Sequence, residues 1–194
     1  NFDIRSSKIE KIYSKYNSDI KLIVHCAAQP SHDYATLRPL EDFDINARAT
    51  LTLLENFRKY CPESLFIYMS TNKVYGDSPN KLNLIEQKYR YTIDPRSIFK
   101  NGINESMSLD RSIHSLFGCS KLYGDLITQE YKYYFGCKTV VLRAGCITGG
   151  NHSGAKLHGF LSYLVKSSII KKKYTINGYK GKQIRDNIHS KDLI

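Results

Sequence analysis

Asp19-Ile20-Lys21-Leu22-Ile23-Val24-His25-Cys26-Ala27-Ala28 is the stretch on which the reading of the fold turns. Its apolar residues run almost without interruption, whereas a strand with one wet face would alternate apolar and polar. Such a run suits a strand buried on both faces, as in a parallel sheet. Leu65 to Met69 reads the same way, and Thr139 to Arg143 adds the β-branched run Thr139, Val140, Val141. Helical spacing fills the gaps between these runs. Lys8 to Tyr16 places Ile9, Ile12 and Tyr13 on one face, and Asp44 to Tyr60 carries Ile45, Leu51, Leu53, Leu54 and Phe57. A further helix is expected from His114 to Phe135, stopped by Gly136, and another over Leu157 to Ile170, followed by a short strand at Tyr174 to Ile176. Gly76 to Arg111, with Pro79, Pro95 and Gly102, reads as an irregular excursion. Strands alternating with helices predict an α/β fold with a parallel sheet and right-handed crossovers. Ligands of such sheets bind outside the carboxyl ends of the strands, so residues just after each strand matter most.

The chain has 194 residues, enough for one domain with a real core and no more than two. Its mixed composition, 41% hydrophobic, excludes disorder and collagen, and its apolar runs are too short to span a bilayer. Lys and Arg number 29 against 18 acidic residues, with a cluster at Lys171, Lys172, Lys173, Lys180 and Lys182. That surplus suits either a polyanionic ligand or a solvated surface. No recognition-helix, zinc-finger or aromatic RNA-binding pattern accompanies it, so no nucleic-acid partner is expected. Five cysteines, at 26, 61, 119, 137 and 146, are an odd number without zinc-ligand spacing, as expected of reduced thiols in a cytoplasmic protein that binds no metal.

Small residues, Cys26-Ala27-Ala28-Gln29, follow the first strand and let a flat group approach the backbone. Asn46 stands in the first turn of the next helix, where a cap is the commoner role than a ligand. After the second strand comes Ser70-Thr71-Asn72-Lys73-Val74-Tyr75-Gly76, with hydroxyls placed to bond a substrate oxygen. Phe117-Gly118-Cys119-Ser120-Lys121 puts Lys121 one turn after Phe117 on the same helix face. The third strand ends in Leu142-Arg143-Ala144-Gly145-Cys146, and Gly181-Lys182-Gln183-Ile184-Arg185-Asp186 lies near the C-terminal end.

In order and spacing these pieces resemble the extended short-chain dehydrogenase/reductase (NAD-dependent epimerase/dehydratase) family over essentially the whole chain. Ala27 to Asp33, Ser70 to Asp77 and Gly178 to Gln183 are most similar to the branch that inverts carbon 2 of a CDP-dideoxyhexose (CDP-paratose to CDP-tyvelose). The resemblance implies a Rossmann-like, doubly wound parallel sheet that lacks its first βαβ units, with their Gly-rich phosphate loop. Residues 1–150 would form a partial NAD-binding domain and 151–194 the beginning of a substrate-binding region. It implies NAD as cofactor, a nucleotide-sugar substrate, no membrane partner, and a homodimer formed through the helices from Asp44 and His114. It also implies that this stretch alone does not turn over.

By the same resemblance Asp3 and Ile4 contact adenine, and Cys26, Ala27, Ala28 and Gln29 line the pyrophosphate and ribose. Asn46 holds the backbone near the cofactor, Ser70 lies by the nicotinamide, Ala144 also binds the cofactor, and Lys121 bonds the nicotinamide ribose. Thr71 orients the sugar, with Asn72 and His158 beside it, and Arg185 takes the nucleotide diphosphate, a role suited to a guanidinium fork. On the residues alone, the less favoured alternative for Arg185 is a surface ion pair with Asp186. Relatives that dehydrate the sugar carry Asp-Glu after the Thr, whereas Asn72-Lys73 stands here, which counts against a dehydratase and leaves epimerase or reductase chemistry.

One departure matters. The family's general base, a Tyr four residues before the Lys, is replaced by Phe117, which has no hydroxyl. Tyr123, two residues after Lys121, is expected to point elsewhere on the helix. Cys146, His114 and His158 are the candidates to take the proton, with Cys146 placed among the catalytic residues beside Thr71 and Lys121. A protein of this fold that binds NAD without catalysis is the alternative.

Overall fold

A computed structural model of the protein describes residues 2–152, 159–176 and 178–194. In chain order its helices are α1 (Lys8–Tyr16), α2 (His32–Leu37), α3 (Pro39–Phe43), α4 (Ala49–Tyr60), α5 (Ser115–Phe135), α6 (Phe160–Ile169) and α7 (Ser190–Leu193). Its strands are β1 (Leu22–His25), β2 (Leu65–Met69), β3 (Leu84–Glu86), β4 (Tyr91–Ile93), β5 (Thr139–Leu142), β6 (Cys146–Thr148) and β7 (Asn187–His189). Two compact units result: Asn1–Asp77 with Leu109–Ala144, and Ser78–Ser108 with Gly145–Ile194.

The first unit is a parallel sheet in the order β1-β2-β5, built from the three runs singled out in the sequence. Side chains alternate across a strand, so each strand serves two faces. Phe66 and Tyr68 of β2 point into a core with Tyr13, Leu53, Leu54, Phe57 and Tyr131 from α1, α4 and α5. On the opposite face Val24, Ile67 and Val140 stand in register, and Val24 and Val140 are 50% and 39% exposed. Among the described residues the helices of this unit cover one face of the sheet, so the burial on both faces expected of these apolar runs is not observed within it. α5 ends where Gly136 adopts a left-handed φ of 67° and its N–H bonds Lys132 O, closing the helix.

From Pro39 to Tyr60 the chain is helical throughout, with Pro39 at the first position, where its missing N–H costs nothing. A π-turn at Asp44–Arg48 interrupts the rod. Asn46 lies inside this turn, so it is no helix cap: the widened turn directs its side chain inward, as π-turns at functional sites often do.

The second unit holds an antiparallel hairpin, β3 with β4, and a parallel pair, β6 with β7. The excursion expected to be irregular thus contains a hairpin, pinned by Asp94, which accepts from Asn83 Nδ2 at 2.7 Å and from Arg96 Nη2 at 2.6 Å. The strand expected at Tyr174 to Ile176 does not form: Tyr174 stacks on Tyr163 of α6, and the pairing partner of the unit is Asn187–His189. Gly145 permits that pairing, since a Cβ there would stand 2.8 Å from Asp186 O, whose carbonyl accepts Cys146 N–H at 2.7 Å. Among the described residues, no helix is long and apolar enough to cross a membrane.

Candidate functional site

At the carboxyl end of β1, Cys26, Ala27 and Ala28 form an exposed shelf of small side chains, and Gln29 turns inward. Asn46 grips both backbone groups of Gln29: its Oδ1 accepts Gln29 N–H at 2.9 Å, and its Nδ2 donates to Gln29 O at 3.0 Å. The same Nδ2 reaches Asp42 Oδ1 and Ser120 Oγ, each at 3.1 Å. Gln29 Nε2 donates to Asp42 Oδ1 at 2.6 Å, which ties β1's exit to α3. Below the shelf His25 Nε2 lies 2.9 Å from Thr50 Oγ1, a hydroxyl that itself donates to Asn46 O. Burial, helped by the Lys121 charge, pushes His25 down to about 4, so the imidazole is neutral.

At the end of β2, Ser70 Oγ donates to Asp125 Oδ2 at 2.6 Å. Asp125, fully buried, is forked by Arg143 through Nε at 2.9 Å and Nη2 at 2.8 Å, and Gln129 Nε2 adds 2.7 Å. Arg143 Nη1 also donates to Tyr75 Oη at 3.2 Å. The bond to Asp125 raises the Arg143 guanidinium further above its ordinary value. With its proton committed to Asp125, Ser70 turns lone pairs toward any ligand. Thr71 Oγ1 accepts Lys73 N–H at 3.2 Å, and Asn72 N–H reaches Ala144 O at 2.9 Å, extending the β2–β5 pairing past both strand ends.

α5 brings Phe117 and Lys121 to the same edge, both buried. Lys121 Nζ donates to Met69 O at 2.7 Å and lies 4.3 Å above the Tyr68 ring. Burial lowers its pKa to about 8, against the pull of Asp125 and Cys26. Gly124, one turn on, makes room for the tyrosine, since a Cβ there would stand 2.4 Å from Tyr68 Oη. Tyr123 points away from Lys121, with its ring 5.9 Å from that of Phe43. Phe117 lies edge-on to His32, ring centroids 4.8 Å apart, and His114 Nε2 is buried with no hydrogen-bond partner among the described residues.

The structure thus gathers Cys26, Ala27, Ala28, Gln29, Asn46, Ser70, Thr71, Asn72, Lys121 and Ala144 in the first unit, on the carboxyl side of its sheet. Asp3 and Ile4 precede α1 in the same unit, and Asp3 is held well below the usual carboxylate range, at about 2, by Arg5 at 2.6 Å. Cys146 and Arg185 belong to the second unit: Cys146 starts β6, half-buried, and Arg185 Nη2 donates to Gln183 Oε1 at 2.6 Å. His158 lies outside the described residues. The sequence reading missed Asp125, Arg143, Tyr75 and His32. Asp125 carried a signal, since it follows Lys121 by four residues on one helix face. His32 stood within the Ala27 to Asp33 stretch, but only the tertiary structure brings it to Phe117.

Comparison with known proteins agrees with this arrangement. A model of the NAD-dependent epimerase/dehydratase family matches residues 2–194. The chain is 36% identical to CDP-paratose 2-epimerase of Salmonella typhi, over 99% of this chain and 56% of that protein. It is 27% identical to a putative UDP-glucose 4-epimerase of Methanocaldococcus jannaschii, covering 100% of this chain and 55% of that protein. Among solved structures, UDP-glucose 4-epimerase of Thermus thermophilus in complex with NAD superposes with a TM-score of 0.75 at 21% identity, over 99% of this chain and 56% of that one. The chain spans about half the length of the relatives it matches. With its parallel sheet and its loops at the carboxyl ends, it belongs to the NAD-dependent epimerase/dehydratase family.

Proposed function

We propose that the protein binds NAD along the carboxyl ends of β1 and β2 and epimerises a nucleotide sugar, with carbon 2 of a CDP-dideoxyhexose as the reacting centre. The observation that carries this reading is Lys121: a buried amine, 2.7 Å from Met69 O, at the strand end that presents Ser70. An ammonium in so dry a place, with N–H groups beyond the one given to Met69, suits a ligand rich in hydroxyls. The exposed Ala27-Ala28 shelf accepts a flat dinucleotide, and the unpartnered His114 Nε2 fits a further polar group of a ligand. The choice of sugar rests on the 36% identity to CDP-paratose 2-epimerase, and Asn72-Lys73 argues against a dehydratase.

NAD, when bound, supplies an acceptor for hydride and returns it to the sugar. The chain's own residues do the rest. Asn46, by fixing Gln29, holds the shelf rigid against the pyrophosphate. Ser70, its proton given to Asp125, accepts from the carboxamide. Lys121 donates to the ribose, and Thr71 orients the sugar hydroxyl beside Asn72. Arg185 takes the diphosphate, with Cys146 and His158 contacting the sugar. Asp3 and Ile4 meet the adenine, and Ala144 also binds the cofactor. A homodimer through α4 and α5 completes the reading.

Phe117 favours a second reading, a protein of this fold that holds NAD without turning sugars over. The full chain, incubated with CDP-paratose, UDP-glucose and UDP-galactose and followed by proton NMR of the sugar ring, separates the two. Inversion at one carbon of one substrate establishes the epimerase. No inversion, with NAD released on denaturation, establishes the second reading.

A further inference from the structure

Phe117 removes the phenol that the proposed chemistry needs, and the structure shows what lies against the vacated place. The imidazole of His32, exposed at the start of α2, meets the Phe117 ring edge-on at 4.8 Å. Its Nδ1 is 3.0 Å from Ser115 Oγ, and the same oxygen accepts Gly118 N–H at 3.2 Å. Ser115 holds a φ of 64°, the left-handed region that side chains other than glycine rarely adopt. Backbone strain of this kind gathers at functional sites, where surrounding structure maintains it. Here it sets one hydroxyl between the first turn of α5 and His32. With Ser115 Oγ accepting from Nδ1–H, the other ring nitrogen, Nε2, keeps its lone pair.

Resting on the epimerase reading above, we propose that His32, oriented by Ser115, is the proton acceptor that replaces the missing tyrosine. The sugar hydroxyl gives its proton to His32 Nε2 while the carbon bearing it gives hydride to the bound nicotinamide dinucleotide. The O–H and C–H bonds break, the C–O bond becomes C=O, the sugar carbon is oxidised and the dinucleotide reduced. Return of hydride to the other face, with the proton coming back from Nε2, restores both and inverts the centre.

The surroundings favour the neutral imidazole over the imidazolium. Burial against its neighbours lowers its pKa, and Lys73, just after β2, adds to that. Asp33 on α2 and Asp42 on α3 oppose it. His114 immediately precedes α5, and His25 closes β1.

The test uses the full chain with NAD bound, the sugar it inverts, and the variants His32→Gln, Phe117→Tyr and the double change. His32→Gln is expected to lower kcat about 100-fold or more with KM little changed, the range of a lost general base. The double variant should recover most of that loss. The parent's kcat/KM should fall along an acid limb that lies below the ordinary histidine range, because the His32 pKa is lowered, and the double variant should lack that limb. Turnover of His32→Gln at the parent's rate overturns the proposal. So does loss of turnover in Cys146→Ser or His114→Gln but not in His32→Gln. A parent that inverts none of the sugars sinks the epimerase reading by itself. Nitrogen-15 NMR of the His32 ring judges the orientation separately: an Nδ1–H tautomer is expected, and an Nε2–H tautomer overturns the proposal whatever the sugars do.

Discussion

The strand ends of the first unit and the basic segment of the second both concentrate charge, under opposite conditions. Asp125 is fully buried beside Arg143, and Lys121 is 4% exposed. Lys180 and Lys182 converge on Glu86 at 2.7 and 2.6 Å, where the Lys180 side chain is 70% exposed. The same side chain therefore behaves in two ways. Burial depresses Lys121, while Glu86 raises Lys180 above its ordinary value. Desolvation wins where water is excluded, and the ion pair wins where both partners stay solvated. A buried charge commits its neighbours to one geometry, so the first unit is preorganised, whereas the exposed Lys180 can rearrange around an anion.

The sharpest way to break this contrast is to orphan the buried carboxylate. Arg143→Met in the full chain leaves Asp125 buried without its partner and should cost about 3–5 kcal/mol, read as a lower urea midpoint. An unchanged midpoint would place Asp125 in water and remove the distinction between the units.

Acid exposes the next difference. His25 titrates near 4 when folded and near 6.5 when unfolded, so the unfolded chain binds more protons between these values. The His25 contribution to stability is fully present above pH 6.5 and is lost as pH falls toward 4, by up to about 3 kcal/mol. His25→Gln should flatten that part of the stability curve, measured by urea unfolding at a series of pH values.

Two lysines should separate in one titration. Carbon-13 NMR of reductively methylated protein is expected to show Lys121 with a midpoint near 8 and Lys180 above 10.5. The sign for stability follows: between about 8 and 10.5 the unfolded chain holds the extra proton at Lys121, so that residue adds stability as pH rises. Coincident midpoints would mean that Lys121 is solvated.

The smallest effect belongs to the exposed cluster. Glu86→Gln should leave the urea midpoint where it was, because exposed pairs contribute little. It should return the Lys180 midpoint toward 10.5. A large fall in stability would show that the second unit depends on this pair.

Much of the fold was legible because local spacing carried it. α1 and β2 fall where periodicity places them, and α5 and β5 differ from the expectation by one residue at one end. The failures share a cause. β6 and β7 are three residues each and pair across a long stretch of chain, so no local pattern marks them. Tyr174 to Ile176 has strand composition, yet its tyrosine found an aromatic partner on α6 instead. At the site, small residues and hydroxyls after strand ends were visible, and Asn46 was visible as a residue though not as the clamp on Gln29.

The amino-acid order by itself determined which segments are strands and helices, which loops follow the strand ends, and that position 117 has no hydroxyl. Those are consequences of periodicity and of side-chain chemistry, which are local. Tertiary structure alone decided that Arg143 neutralises Asp125, that Lys121 is dry enough to lose its proton near pH 8, and that His32 meets Phe117. Each depends on groups far apart in the chain being brought out of water together, and the desolvation and hydrogen bonding that set their behaviour exist only once they meet.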